Sequence, residues 1–128
     1  MNLGTILFLH SRIANAAWLY MIILGVWSLI NYVRGRGVDG GVIGAVVVGE
    51  LLMLTQASLG LILFLSGLYP ATTIHFLYGS LAILALPAIW VYTRGATDRR
   101  ASLVWALAGL FMFGLTTGLT RTPGPGFE

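Results

Sequence analysis

His10, in LFLHSRIANAA, and His75, in PATTIHFLYGS, are the only two histidines of a 128-residue chain that has no cysteine. Neutral imidazole nitrogen binds zinc, copper and iron. The missing thiolates exclude cysteine-ligated zinc, iron–sulfur clusters and disulfides. No carboxylate stands near either histidine in the sequence to complete a zinc or copper shell. A bis-histidine haem, by contrast, takes one imidazole from each side of its macrocycle and no other protein ligand. A single histidine in an apolar helix is often only a hydrogen-bonding group between helices. A matched pair favours a shared ligand.

The spacing after each histidine supports that choice. Ala14 and Gly79 follow four positions on, and Ala17 and Ala82 follow seven positions on. Positions i, i+4 and i+7 share one helix face. Each imidazole should therefore stand over a strip without bulky side chains, as the face of a flat macrocycle requires. The expectation is one haem b with His10 and His75 as iron ligands and with Ala14, Ala17, Gly79 and Ala82 against its faces. The other ring nitrogen would donate to a carbonyl one turn back, which fixes the tautomer. The same residues allow a different reading, in which each histidine holds the magnesium of its own chlorophyll-type pigment.

The elements that carry these residues follow from composition. The chain is 58% hydrophobic and 9% charged, with a mean hydropathy of +0.91. Soluble domains carry about 25% charged residues. Apolar stretches at about 5–33, 42–67, 73–93 and 102–120 each approach or exceed the ~20 residues that cross a bilayer. None shows the alternating polarity of a barrel strand. The fold class expected is all-α, a four-helix transmembrane bundle in one domain over residues 1–128. The first stretch has no basic region before it and is longer than the apolar part of a signal peptide, so it is read as a span.

A formal charge of +3 and a pI near 9.8 are compatible with nucleic-acid binding, but the arginine positions give another reason. Arg34, Arg36, Arg94, Arg99 and Arg100 fall in the two loops that share one side of a four-span protein. The positive-inside rule makes that side cytoplasmic and puts both termini outside. A prokaryotic inner membrane is expected, with no nucleic-acid partner. Trp27, Tyr32, Trp90, Tyr92 and Trp105 gather near the cytoplasmic ends as an aromatic belt.

Short loops make sequential helices antiparallel. The first and third helices then run parallel and hold His10 and His75 at similar depth near the outer side. A weak repeat agrees: LH-x3-A-x2-A at Leu9 corresponds to IH-x3-G-x2-A at Ile74, and the two helices end in YVRG and YTRG. Two helical hairpins, each with one histidine, are expected. Gly49, Gln56, Gly60 and Gly67 form a small-residue stripe, and Gly114, Thr117, Gly118 and Arg121 form another. Arg121 is the candidate partner for a haem propionate. Arg12 falls about 200° around the helix from His10, facing headgroups. Pro87 is expected to kink the third helix.

The run LLMLTQASLGLILFLSGLYPATTIHFLYGSLAIL resembles the haem A synthase family, in which a Q-x2-LG helix precedes a short loop and a helix opening with histidine. The matching residues are Gln56, Leu59, Gly60 and His75. LHSRIANAAWLYM resembles the family's preceding histidine helix, with Ser11 between the histidine and Arg12. The likeness covers about residues 7–90 and implies a four-helix unit with His10 and His75 as the axial pair. Where the family's catalytic half has a glutamate three residues before its first histidine, this chain has Leu7. Its cysteine pair is absent. The resemblance is thus to the non-catalytic half, or to a small cytochrome b on the same plan, and the expectation leans away from an enzyme.

Glu50 costs about 2.5–3.5 kcal/mol if charged at membrane depth. It is read either as a proton relay or quinone contact, or as a neutral acid hydrogen-bonded between helices or snorkelling towards Arg34. The function expected is electron transfer or haem handling beside other membrane subunits of a redox complex. The alternatives are a pigment-binding subunit or a cofactor-free accessory subunit of a respiratory or photosynthetic complex.

Overall fold

A computed structural model of the chain describes residues 2–70 and 72–120, and within them every regular element is a helix. The elements are α1 (Leu3–Val33), α2 (Gly40–Leu65), α3 (Ile74–Thr93) and α4 (Arg99–Thr120). All four are long and apolar enough to cross a membrane. Helices satisfy their backbone polar groups internally, which hydrocarbon demands. The chain is an integral membrane four-helix bundle.

Local side chains set the helix ends. Asn2 accepts from the Thr5 amide at 2.8 Å, Asp39 from Val42 at 3.0 Å and Asp98 from Ala101 at 3.0 Å. These caps satisfy amides that have no partner within the helix. They also start α1, α2 and α4 earlier than hydropathy alone suggests. Gly67 has φ +88° and lies past the end of α2, in open space. It belongs to the turn that stops α2, so it leaves the small-residue stripe expected on that helix. α3 runs as one continuous helix through Pro87.

The closest approach joins α1 to α4. A Cβ added at Gly109 would stand 2.5 Å from the Gly25 Cα and nitrogen. Two glycines thus let the backbones touch, the usual route to helix association where lipid removes the hydrophobic drive. α1 also packs on α2, and α3 on α4, while α2 and α3 are the least tightly joined neighbours. α1 and α3 therefore stand across the bundle from each other. Met21, Leu24, Leu86, Trp105 and Met112 fill the interior. Trp105 is only 1% exposed and packs near Trp90 at 6.5 Å between ring centres. It is a core residue and not part of an aromatic belt.

The two arginine-bearing loops lock together. Val38 N–H donates to Thr97 O at 2.9 Å, and Ser102 Oγ donates to Arg36 O at 2.8 Å. Arg99 Nε donates to Tyr32 O at 2.9 Å, with its guanidinium 4.1 Å from the centre of the Tyr32 ring. At this end the bundle is closed. At the other end it opens.

Candidate functional site

The opening is a cavity of about 680 Å³ between α1, α2 and α3, bordered at the end of α4 by Leu119 and Thr120. Its volume lies in the range of cofactor and ligand sites, about 300–1,000 Å³. His10 projects into it from α1 and His75 from the first turn of α3. Their ring centres are 6.3 Å apart, with the ring planes at 53°.

α2 sets the position of His10. Gln56 Nε2 donates to the His10 carbonyl at 2.6 Å, tying the two helices at that level. One turn further along α2, a Cβ added at Gly60 would lie 3.3 Å from His10 Cε1. The missing side chain at Gly60 is what lets the imidazole rest against α2. Gln56 Oε1 is buried without a hydrogen-bond partner among the described residues.

Of the small residues read from the sequence, Ala14, Gly79 and Ala82 line this cavity. Ala17 does not. It is 2% exposed and packs in the core, because α1 turns that position towards the interior contact with its neighbours. Nothing lies within 4 Å of a Cβ added at Gly79, whereas one at Gly118 would stand 2.7 Å from Tyr78 Cε2. The α4 stripe thus accommodates Tyr78. Arg121 lies outside the described residues. Arg12 is exposed, with its guanidinium 5.6 Å from the centre of the Phe8 ring.

Met53, Ala57 and Phe64 of α2 also line the cavity and were not singled out by sequence reading. Their signal is positional: 53, 57, 60 and 64 recur at helical spacing around the Gln56–Gly60 pair. Glu50 lies one turn before Met53. Both its carboxylate oxygens are buried without a hydrogen-bond partner among the described residues, so it does not reach Arg34. It is ten positions from Gly60, ~15 Å along the helix.

The donor set bears on what the cavity could hold. Among the described residues no group of three or more histidine, cysteine, aspartate or glutamate side chains could hold a metal. Two imidazoles alone suit an ion whose remaining positions are filled by its own macrocycle. An imidazole nitrogen binds a first-row metal at about 2.0–2.1 Å, and each ring centre sits roughly 1 Å behind it, so two rings on one ion have centres roughly 6 Å apart. The observed 6.3 Å fits that span.

Fold and site together define a transmembrane four-helix bundle with a histidine-flanked cavity near one end. No family model, curated protein or solved structure matches the chain.

Proposed function

We propose that this chain is a membrane haem b protein with His10 and His75 as axial ligands, serving electron transfer or haem handling within a membrane complex. The observation that carries the reading is the 6.3 Å separation of the two rings across a shared cavity. The same separation speaks against one pigment on each histidine, since two macrocycles would compete for one space. Ala14, Gly79 and Ala82 give the ring faces room. Gln56 and Gly60 hold His10 at its height. The bound group supplies one-electron chemistry at its iron.

With His10 and His75 both holding it, the group would supply electron transfer rather than oxygen activation. Leu7 takes the place of the carboxylate found in the resembling family, and Glu50 lies ~9 Å along α2 from Gln56 and ~15 Å from Gly60, the two residues that set the His10 level. Haem-methyl oxidation is therefore not expected of this protein alone. By the positive-inside rule, the five arginines gathered at the locked end favour a cytoplasmic position for that end, with both termini outside a prokaryotic inner membrane.

The test is a visible spectrum of the purified protein. Reduced protein should show sharp α and β bands of low-spin haem b. His75→Ala and His10→Ala should each abolish them or give a high-spin spectrum. Unchanged bands in both variants would remove the proposal, and extraction of a magnesium pigment would replace it with the pigment reading.

A further inference from the structure

The cavity is not enclosed on the side of α2 and α3. Leu61, Phe64 and Phe76 line it and are at the same time 56%, 40% and 44% exposed. Such side chains form the rim of an opening. The opening falls on the seam between the two least tightly joined neighbouring helices. Both helices are membrane spans, so a rim built from leucine and phenylalanine faces hydrocarbon.

Across this seam the side chains meet through aromatic rings. Phe64 of α2 and Phe76 of α3 are 5.5 Å apart in an edge-to-face pair. Tyr69, in the connecting loop, meets Phe64 at 5.1 Å. Each edge-to-face pair adds only a small stabilisation beyond area burial. A contact of that size holds two helices together at rest and yields to thermal motion. The opposite side of the bundle could not open so readily, because Gly25 and Gly109 bring its backbones into contact.

We infer that the cavity is loaded sideways from the bilayer, through the α2–α3 seam, with Phe64 and Phe76 as the gate. The ligand is therefore taken from a membrane-dissolved pool or a membrane donor and not from water. The inference rests on the haem reading of the same cavity, and haem's apolar macrocycle suits that source.

The absence of cysteine makes a clean test possible. Phe64→Cys/Phe76→Cys protein is reconstituted without haem in lipid nanodiscs and bridged by a short, reducible bis-thiosulfonate linker. Haemin dissolved in the lipid is then supplied, and loading is followed by the Soret band. Bridging before loading should slow uptake at least tenfold, reduction of the linker should restore it, and bridging after loading should leave the spectrum unchanged. Independently, Phe64→Ala should speed haem transfer from loaded protein to apomyoglobin several-fold. Equal loading rates with and without the bridge overturn the lateral route while leaving the haem reading intact. If the double variant does not fold, an unchanged transfer rate in Phe64→Ala overturns it instead. Unbridged and wild-type protein that take up no haem overturn the haem reading, and this inference with it.

Discussion

Gln56 on α2 donates from its side-chain amide to the backbone carbonyl of His10 on α1, at 2.6 Å. The bond joins residues far apart in the chain and fixes the height of one imidazole relative to the cavity floor. Interhelical hydrogen bonds in membranes contribute about 0.6 kcal/mol on average and up to ~1.7. Gln56→Leu should therefore cost stability only on that scale. Its larger effect should be on the site: haem affinity should fall about threefold to tenfold, the loss in binding that 0.6–1.4 kcal/mol represents. Haem titration beside detergent unfolding separates the two, and an unchanged affinity would show that α2 does not position His10.

Gly109 is the position with the least room for a side chain on the α1–α4 contact. A Cβ there meets the Gly25 backbone at 2.5 Å, so the helices must separate. Gly109→Ala should destabilise by about 1–3 kcal/mol, as overpacking does. Gly114→Ala is the control, because nothing lies within 4 Å of that Cβ. It should be neutral or stabilise by up to ~1 kcal/mol, the gain in helix propensity. Equilibrium unfolding in mixed micelles reads both, and equal stabilities would mean that the α1–α4 contact is looser than described.

Gly79 lines the cavity and has open space in front of it. Gly79→Ala should be tolerated, and should even stabilise α3 by up to ~1 kcal/mol from helix propensity. Gly79→Leu places a branched side chain where a macrocycle face would lie. It should leave the fold intact by circular dichroism but reduce haem binding at least about tenfold, a difference of ~1.4 kcal/mol. Full haem binding by the leucine variant would put the ligand elsewhere.

Glu50 holds two buried carboxylate oxygens without a hydrogen-bond partner among the described residues. An apolar residue there removes a polar group whose burial is uncompensated. Glu50→Leu should raise stability by about 1–3 kcal/mol, and Glu50→Gln should leave the haem spectrum unchanged. A destabilised leucine variant would reveal a structural role for the acid. Haem A formed in cells that supply haem O, and lost in Glu50→Gln, would make it catalytic.

Thr97 lies in the loop between α3 and α4, and its carbonyl accepts from Val38 of the loop between α1 and α2. Both loops therefore share one side of the membrane. A cysteine at Thr97 should be shielded from an impermeant thiol reagent applied from the periplasm, and one at exposed Thr72 should react. The reverse pattern would invert the proposed orientation.

The sequence by itself determined that four apolar segments cross the membrane as helices. Length, apolar content and the backbone's need for internal hydrogen bonds are properties of each segment alone. Hydropathy alone places the starts of α2 and α4 two to three residues late, although Asp39 and Asp98 carry an equally local signal, since a cap bonds to an amide three positions on. Which face of each helix turns inward was not legible. In lipid an apolar residue is as suitable outside as inside, so no hydrophobic stripe separates core from surface. Ala14 and Ala17 looked equivalent, yet one lines the cavity and the other packs in the core. Trp105 carried the composition of a belt residue and became a core residue. Tertiary structure decided these cases through steric fit, with Gly25 and Gly109 drawing α1 and α4 together. α2 and α3 are the more loosely joined pair, and the space beside their seam is where His10 and His75 come together, their ring centres 6.3 Å apart.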